Sequence, residues 1–556
     1  MKHPATQPLP FGISDFKALR ERNCRYVDKT HFIRDIIDAD AQVLLLPRPR
    51  RFGKTLNLST LRYFFEQSAE ERRALFDGLL IAHEPHFQAH QGKYPVIFLT
   101  FKDVKGLNWQ DVQTSLYSVI GHEIERYQQV WQRDGAATLS QKTLQRIAQD
   151  AAAPADYADA LRLLSEALYA YYDAPVVILI DEYDAPILSG HVNGYYREIV
   201  SFMRNFLSGG LKDNPHLFKG VLTGILRIAK ESIFSGLNNL AVYNLLRPEF
   251  RTAFGFTQPE VSALLTDYAL ADRGAEVAAW YNGYLFGGEV IYNPWSVLNY
   301  IASEDHHPRP YWINTGDPAI IESLVTRGSR ELREEIGKLM SGEMIEKPID
   351  DSIVIPDLET RDDLLWSFLL FSGYLKAVAQ VDEETFRLQI PNHEVLLNYR
   401  QWVRHWFTQK VESNLLEEML RGLENGDVVV FERMLRRVVT QIMSYHDLSG
   451  EPEKVYHALV LGMLVWLSGK YEIRSNRESG YGRYDVLLRP KNPEKQGIII
   501  EFKRVYDDET PEDVLTAALR QIQERRYLAE LDAAGIHSHL QLAVAFRGKE
   551  LWVRQG

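Results

Sequence analysis

The sequence predicts an α/β multidomain protein, with a parallel sheet first, a mainly helical middle and a second α/β domain at the C-terminal end. Two patterns carry this prediction. Apolar strand-like runs alternate with helix-like segments up to about residue 250, and a helix–strand–strand–strand–helix–strand order fills the last part of the chain. A length of 556 residues exceeds what one hydrophobic core supports. We therefore predict three domains, over residues 1–250, 251–400 and 401–556.

Four apolar runs predict the strands of the first sheet, at 42–49, 94–101, 174–184 and 216–226. The segment after the first run, FGKTLNLSTLRYFFEQ, spaces its leucines and phenylalanines along one helical face. A long helical stretch with a polar interruption is predicted over about 109–172. Strands separated by helices in this way are typical of a parallel sheet.

The pattern changes from about residue 254. Thr257 is predicted to cap a helix that carries Pro259 and Glu260 in its first turn. Residues 318–370 are predicted to be mainly helical, and 373–391 to form a short hairpin. Helices followed by a small hairpin are typical of a helical lid with a winged-helix-like module, and we predict this arrangement for the middle.

The C-terminal part is predicted to contain two helices and five strands. The helices are expected at about 452–468 and 511–533, and the strands at about 471–476, 483–489, 497–503, 539–546 and 550–554.

Composition narrows the class of protein. Hydrophobic residues make up 45% of the chain and charged residues 25%, as in ordinary globular proteins. The net charge of −12 (63 basic against 75 acidic residues) excludes a basic surface over the whole chain. Binding of nucleic acid would therefore require local patches of basic residues. The single cysteine, Cys24, excludes a disulfide framework and a cysteine-based zinc site, and we interpret it as a packed residue.

The N-terminus lacks the apolar region of a secretory signal, and no apolar run approaches the roughly 18 residues of a membrane span, so a cytoplasmic protein is expected.

The stretch PRPRRFGKT (47–55) ends like a phosphate-binding loop but has Arg48 where G-x-x-x-x-G-K-[ST] begins with glycine. It lies between an apolar strand and a helix, as a phosphate loop of a P-loop NTPase sheet must, because helix-start N–H groups then face the anion. In this interpretation Lys54 contacts the phosphates of ATP and Thr55 ligates Mg²⁺. The alternative is a chance Gly-Lys-Thr in a basic loop.

The rest of the loop, Arg50, Arg51, Phe52 and Gly53, is expected to contribute to the nucleotide site. Three roles stay open for the arginines, including Arg48: they bind phosphate, pair with acids, or form a basic rim.

Two later strands end in polar residues that fit the same site. VVILIDEYD ends in Asp181, which suits Mg²⁺, and Glu182, which suits the base that activates water. The alternative is a solvated acidic turn. In GVLTGILRIAK, Thr223 is placed to sense the γ-phosphate, and Arg227 to neutralise charge in the transition state or simply to cap a strand or helix end.

The C-terminal part carries a second constellation, in GYGRYDVLLRP and GIIIEFKRV. Glu501 and Lys503 share one face of a predicted strand, and Asp485 joins them if its strand pairs with theirs. Two carboxylates can hold Mg²⁺ and the lysine can position water, which is the chemistry of metal-assisted phosphodiester hydrolysis. The alternative is a salt-bridged surface hairpin.

The spacing D-x15-E-x-K between helices matches the PD-(D/E)xK nuclease superfamily, with Tyr484 in the place of the proline. Glu478 is a further candidate metal ligand or a solvated turn residue, and Gln521 a candidate contact to water or DNA. Basic residues that could follow a nucleic-acid backbone, or merely form a solvated face, are Arg433, Arg436, Arg437, Arg483, Arg520, Arg525 and Arg526.

Taken together, the motifs resemble one family, the bacterial AAA-ATPase-like proteins with a C-terminal PD-(D/E)xK nuclease domain. The resemblance rests on LPFGISDFKALRERNCRYVDKT, RPRRFGKT, ILIDEYDAPI, LTGILRIAKESIFSGLNNL, WYNGYLFGG with IYNPWSVLNYI, and NRESGYGRYD with IIIEFK. The family's loop has arginine in place of the first glycine. The resemblance implies a restriction-endonuclease-like C-terminal domain, ATP and Mg²⁺ as cofactors, and a role in defence or mobile elements by association.

These observations predict an ATPase switch coupled to a Mg²⁺-dependent nuclease that acts on nucleic acid, DNA ahead of RNA, with a homo-oligomer allowed and no membrane partner. The catalytic residues would be Glu182 and the Asp485, Glu501 and Lys503 set; Thr55, Asp181, Asp485 and Glu501 would ligate metal. One alternative is an ATP-switched interaction module whose nuclease-like domain binds nucleic acid or a partner without cleaving. Another is a sensor with very slow ATP turnover.

Overall fold

The computed structural model describes residues 7–131, 138–228, 233, 239–312, 324, 330–340, 342–359, 361–410, 413–442, 460, 462–475, 478–479, 482–525 and 527–556. The chain divides into two compact units. One consists of Met1–Ile320 and Glu346–Val395, the other of Ile321–Ile345 and Leu396–Gly556. The division into three functional domains stays a prediction.

The first unit contains a five-stranded parallel sheet in the order β2-β3-β4-β1-β5. Its strands are β1 (Val43–Pro47), β2 (Val96–Thr100), β3 (Val176–Asp181), β4 (Leu217–Gly224) and β5 (Leu240–Val242). The four predicted strands are confirmed. Every residue of β1 and β3 is buried, which is why these strands appear in the sequence as continuous apolar runs.

Helices flank and connect these strands. They are α1 (Phe16–Glu21), α2 (His31–Asp38), α3 (Lys54–Phe65), α4 (Pro85–His90), α5 (Trp109–Glu125), α6 (Gln128–Trp131), α7 (Leu139–Ala148), α8 (Pro154–Ala158), α9 (Ala160–Tyr172), α10 (Ala185–Asn193) and α11 (Tyr196–Leu211). The helix predicted after the loop is α3, and the stretch predicted over 109–172 is the series α5 to α9. Short 3-10 helices lie at Arg73–Phe76 and Leu80–His83.

The middle of the chain adds two small sheets and several helices. These elements are β6 (Phe256–Thr257), α12 (Gln258–Asp267), α13 (Gly274–Tyr281), β7 (Tyr284–Phe286), β8 (Glu289–Tyr292), α14 (Pro294–Ala302), α15 (Arg330–Met340), β9 (Ile345–Pro348), α16 (Asp362–Phe371), β10 (Lys376–Gln380) and β11 (Thr385–Gln389), with 3-10 turns at Ala271–Arg273 and Ile355–Glu359. Thr257 caps α12 in a capping box with Glu260, as predicted. The predicted hairpin is β10 and β11, and β9 adds a third strand that was not predicted. Most of 313–329 lies outside the described residues.

The C-terminal elements begin with three helices: α17 (His393–Lys410), α18 (Ser413–Glu424) and α19 (Val428–Ile442). The helix predicted at 452–468 falls largely outside the described residues, and its end, Val465–Gly469, is a 3-10 helix. The remaining elements are β12 (Tyr471–Ser475), β13 (Glu478–Ser479), β14 (Gly482–Arg483), β15 (Val486–Pro490), β16 (Gly497–Arg504), α20 (Pro511–Glu524), α21 (Ala529–Ala533), β17 (His539–Arg547) and β18 (Glu550–Gln555).

Five of these strands form a mixed sheet in the order β12-β15-β16-β17-β18, in which only β16 and β17 are parallel. All five predicted strands are confirmed. The helix predicted over 511–533 is instead two helices, because α20 ends at Glu524 and α21 starts only at Ala529. Apolar residues of α18 and α19 share a core with those of β15, β16 and β17.

None of the described helices combines the length and apolar character that a bilayer crossing requires. Cys24 is buried, as expected for a packed residue.

Candidate functional site

The carboxyl edge of the parallel sheet brings the predicted nucleotide-site residues together. The sheet register places Asp181, the last residue of β3, beside Thr100 of β2, and β1 and β4 end at the same edge. The phosphate loop leaves β1 at this edge and leads directly into α3. As a result Thr55, far from Asp181 in the sequence, reaches its carboxylate.

The phosphate loop uses left-handed backbone at two positions, Arg51 (φ 67°) and Gly53 (φ 87°). Gly53 adopts this conformation readily because glycine has no Cβ, and it is the N-cap residue of α3. The Lys54 side chain, only 3% exposed, donates from Nζ to the carbonyls of Arg48 (3.0 Å) and Pro49 (3.2 Å). A positive charge is therefore buried at the N-terminal end of α3, where an anionic phosphate is favoured.

Asp181 joins the loop to β4 through two hydroxyl groups. Its Oδ2 accepts a hydrogen bond from Thr55 Oγ1 (2.7 Å), and its Oδ1 accepts one from Thr223 Oγ1 (2.8 Å). Burial raises the pKa of Asp181, and the negative charge of Glu182 raises it further. This set of hard oxygen donors fits the ligands that Mg²⁺ prefers.

Glu182 follows in left-handed backbone (φ 53°), which is uncommon for a residue other than glycine. Its Oε1 lies 3.5 Å from Lys54 Nζ. Burial opposes ionisation of Glu182, but the charges of Lys54 and Arg50 outweigh this effect and hold its pKa below the ordinary value. Glu182 is therefore an ionised carboxylate at the loop.

Two residues that the sequence analysis did not single out, Tyr183 and Asp184, fix the turn after β4. Asp184 Oδ2 accepts from the N–H groups of Ile225 (2.7 Å) and Leu226 (3.0 Å), and the Tyr183 hydroxyl donates to the Leu226 carbonyl (2.7 Å). Burial raises the pKa of Asp184 to about 6. The sequence did contain a signal for Asp184, because it is the third acidic residue at or just after the end of the buried strand β3.

Arg227 follows this turn. Its guanidinium donates to Asp351 Oδ1 (3.0 Å), and Asn244 Nδ2 donates to the other oxygen of Asp351 (3.1 Å). The structure thus places Arg227 against the segment after β9, and its role at the γ-phosphate stays a prediction.

The Phe52 side chain packs away from solvent against β7. Its ring centroid lies 4.9 Å from that of Tyr284 and 5.2 Å from that of Phe286, and its carbonyl accepts from the Gly255 N–H (3.1 Å). Phe52 is 1% exposed. Its ring is therefore a packing anchor of the loop, and any contact of Phe52 with nucleotide would come from its backbone.

Arg50 and Arg51 contact two tryptophans of the middle region. The Trp312 indole N–H donates to the Arg50 carbonyl (3.0 Å), and the Arg51 guanidinium carbon lies 4.5 Å from the Trp295 ring centroid. The Arg50 charge also lowers the pKa of Glu182.

Arg48, in the place of the missing glycine, has a fully buried guanidinium. It donates to three carbonyls, those of Pro47 (2.8 Å), Tyr243 (2.6 Å) and Phe250 (3.3 Å). Two phenylalanine rings face it, with centroids 5.2 and 5.3 Å from Cζ. Burial lowers the pKa of Arg48 to about 9. These contacts correspond to none of the three expected roles, since the guanidinium instead ties the loop to the backbone of residues 243–250.

Arg48→Gly is expected to destabilise the protein by about 3 kcal/mol, because buried carbonyls lose their donor and a cavity remains. Chemical denaturation followed by tryptophan fluorescence would measure the loss. Arg51→Gly is the matched control, since the left-handed backbone there suits glycine and stability should hold. An Arg48→Gly variant as stable as the wild type but altered in nucleotide affinity would contradict the anchoring role.

Glu394, in the first turn of α17, is a buried acidic residue. Its Oε1 accepts from the Trp312 backbone N–H (2.6 Å) and its Oε2 from Ser296 Oγ (2.8 Å). The side chain is fully buried, and burial raises its pKa to about 7.

The raised pKa of Glu394 predicts a pH dependence of stability. The folded state holds a proton that the unfolded state releases near its ordinary value of 4.5, so stability falls as pH rises from that value through about 7. The full change corresponds to about 3 kcal/mol. Glu394→Gln should remove this loss. The thermal midpoint of the variant should therefore rise relative to that of the wild type as the pH is raised. An equal difference at low and high pH would contradict the prediction; exposed Glu383→Gln is the control.

The C-terminal sheet brings Asp485, Glu501 and Lys503 together. The register of β15 and β16 pairs Val486 with Ile500, and its continuation by one residue sets Asp485 opposite Glu501. Asp485 Oδ2 accepts from the Phe502 N–H (2.8 Å), and Lys503 Nζ donates to Glu501 Oε1 (3.0 Å). The sequence spacing therefore corresponds to one local cluster.

Glu501 has the features of a cation ligand. It is 1% exposed, and its Oε2 is buried without a hydrogen-bond partner. Burial and then the charge of Asp485 raise its pKa to about 7, although Lys503 acts in the opposite direction. A buried oxygen without a partner beside a second carboxylate fits Mg²⁺, which is usually held by one or two carboxylates with waters.

Gln521, on α20, donates from Nε2 to Glu501 Oε1 and to the Tyr527 hydroxyl (3.1 Å). It therefore orients the carboxylate directly. Tyr484, in the proline position, is fully buried and donates to Glu530 Oε2 (3.1 Å).

The other residues named around this site are more dispersed. Arg433 and Arg436 pair with glutamates at 3.2 and 2.7 Å, and Arg437, Arg520 and Arg525 are exposed. The side chains of Glu478 and Arg483, and all of Arg526, lie outside the described residues. Their contact with nucleic acid stays a prediction.

Comparisons with known families match both ends of the chain. Residues 10–234 match the family described as predicted AAA-ATPase, and residues 451–556 match the PD-(D/E)XK nuclease superfamily. The first segment contains the phosphate loop, Asp181 and Thr223, and the second contains the cluster around Glu501. The resemblance inferred from the motifs is confirmed.

Two similar proteins add context. The chain is 28% identical over 393 residues to an uncharacterized protein in the vnfD 5′ region of Azotobacter chroococcum mcd 1, covering 70% of this chain and 68% of the relative. A solved structure, the ORC2 protein of Aeropyrum pernix in ADPNP and ADP complexes, shares 12% identity at a TM-score of 0.23, over 72% of this chain and 95% of that one. So distant a likeness has no bearing on the site.

Proposed function

We propose, from the premise that the chain joins an AAA-ATPase-like domain to a C-terminal PD-(D/E)XK nuclease superfamily domain, that it binds and hydrolyses ATP and cleaves nucleic acid with Mg²⁺. The observation that carries the nuclease proposal is the buried Glu501 carboxylate, with one oxygen lacking a partner, beside Asp485 and Lys503. We propose DNA rather than RNA as the substrate.

At the C-terminal site, Asp485 and Glu501 would hold Mg²⁺, which when bound polarises the phosphodiester and lowers the pKa of water. Gln521 fixes the Glu501 carboxylate, and the Phe502 N–H fixes that of Asp485. Lys503 then presents its ammonium group to the attacked phosphate and offsets the negative charge that develops there.

At the phosphate loop, Lys54 would leave the Arg48 and Pro49 carbonyls in part to contact the β- and γ-phosphates, and Thr55 and Asp181 would hold the Mg²⁺ that accompanies ATP. Glu182, ionised and next to Lys54, would orient and activate water. Thr223, on the far side of Asp181, would sense the γ-phosphate, and Arg227 would act on transition-state charge after it leaves Asp351.

A second candidate function is an ATP-switched module whose nuclease-like domain binds nucleic acid or a partner without cleaving it, and a sensor with slow turnover is a third. The complete Asp485, Glu501 and Lys503 set favours cleavage, since a binding domain has no need of a buried carboxylate with an open oxygen. A cytoplasmic location, self-association and a role in defence or mobile elements belong to the same proposal.

The proposal is tested by incubating the purified chain with plasmid, linear duplex, single-stranded DNA and RNA, with Mg²⁺ or EDTA and with or without ATP. We expect Mg²⁺-dependent cleavage of DNA and release of phosphate from ATP. Binding of DNA without cleavage under every condition would favour the second candidate. ATP binding without measurable phosphate release would favour the sensor.

A further inference from the structure

Trp312 lies between the phosphate loop and α17. Its indole N–H donates to the Arg50 carbonyl (3.0 Å), and its backbone N–H donates to Glu394 Oε1 (2.6 Å). The side chain is 4% exposed and packs on Tyr374, with ring centroids 4.9 Å apart. One residue therefore connects the main chain of the loop to a carboxylate in the first turn of a helix.

The carboxylate is fixed at both oxygens. Ser296 Oγ donates to Glu394 Oε2 (2.8 Å), and Ser296 is the neighbour of Trp295, whose ring the Arg51 guanidinium covers. Two consecutive loop residues, Arg50 and Arg51, are thus linked to Glu394 by separate routes. The route through Arg50 starts at the loop backbone, and the route through Arg51 starts at its side chain.

Apolar packing alone does not account for this arrangement. Burying a carboxylate among aromatic rings costs free energy unless its hydrogen bonds are directed and complete, and an apolar side chain would fill the same space at lower cost. The carboxylate differs from an apolar side chain because its hydrogen bond holds the Trp312 peptide in one orientation. It thereby holds the indole N–H in place to donate to the Arg50 carbonyl. α17 begins in the first compact unit at His393, and from Leu396 onward belongs to the second.

We propose that Trp312 is a positioning residue of the phosphate loop and that, with Glu394, it transmits the occupancy of the loop to α17. The proposal rests on the proposed binding of ATP at the loop. Phosphate contact reorients the loop peptides, the Arg50 carbonyl moves relative to the indole, and the first turn of α17 responds. Linkage requires the reverse effect as well, so breaking the connection should change nucleotide affinity.

The test uses the full chain and measures two quantities: affinity for a fluorescent ATP analogue, and hydrogen–deuterium exchange over residues 393–403 with and without nucleotide. In the wild type, nucleotide should change exchange in this segment. Trp312→Phe keeps the ring but removes the indole donor; it should weaken affinity about tenfold and abolish the exchange response. Glu394→Leu, which removes both acceptors in a buried site, should abolish it as well. Trp366→Phe, a buried tryptophan of α16, is the matched control and should keep both properties.

Each outcome decides one point. An exchange response that persists in Trp312→Phe and Glu394→Leu overturns the proposal, as does a wild type that binds nucleotide without any response in 393–403. A wild type that binds no nucleotide overturns the nucleotide site itself. Loss of the response in both variants, with affinity and response intact in Trp366→Phe, supports the connection.

Discussion

Glu501→Gln should reduce Mg²⁺-dependent cleavage by at least about a hundredfold, because it removes one of the two carboxylates that would hold the Mg²⁺ at the reacting phosphate. Glutamine keeps the shape of the side chain and an oxygen that can accept from Lys503, so the local fold should survive. It lacks the negative charge that a cation ligand needs. Initial rates of plasmid nicking at saturating Mg²⁺ would measure the loss.

A second readout separates chemistry from folding. Because burial already disfavours the charge of Glu501, the glutamine variant should be at least as stable as the wild type above about pH 7. Binding of Mn²⁺, followed by calorimetry, should weaken in parallel with activity. The exposed Asp508→Asn is the control of equal charge change. Cleavage at the wild-type rate by Glu501→Gln would exclude the C-terminal site as the nuclease.

Lys54→Ala should weaken ATP binding by at least about tenfold and remove ATP turnover, because the charge that faces the phosphates is lost at the start of α3. The 3.5 Å contact with Glu182 is lost as well, which leaves that half-buried carboxylate without its main counter-charge. Equilibrium binding of a fluorescent ATP analogue and phosphate release would both be measured.

The control for this variant is Lys93→Ala, an exposed lysine away from the loop. DNA cleavage in the absence of ATP should be similar in Lys54→Ala and the wild type, since the two sites use different residues. ATP turnover that is unchanged in Lys54→Ala would show that the loop is not the site of hydrolysis.

Both clusters could be predicted from sequence because local patterns determine them. Carboxyl ends of parallel strands share one edge, so Asp181 and Thr223 follow from recognising β3 and β4. Alternation along β16 sets Glu501 and Lys503 on one face, and the pairing of β15 adds Asp485. Four of the five strands of the parallel sheet were predictable for the same reason; β5, with three residues, is too short to show a pattern.

What could not be predicted depends on contacts between distant parts of the chain. Arg48 was open to three interpretations because its carbonyl partners at Tyr243 and Phe250 lie about two hundred residues away. Trp312 and Glu394 showed no motif, since a single tryptophan and a single helical glutamate are common anywhere. Their significance comes only from the fold that brings them to the loop.

The packing of the phosphate loop against residues beyond 250 has a practical consequence for dividing the protein. Phe52 packs on β7, and Pro49 meets Gly373 so closely that a Cβ there would lie 2.9 Å from the proline ring. A fragment that stopped near residue 250 would retain every residue of the phosphate-loop motif yet uncover Phe52 and leave Pro49 without its neighbour. Such a truncated protein should be poorly soluble and inactive. Its loss of activity would come from defective folding and would say nothing about the residues of the nucleotide site.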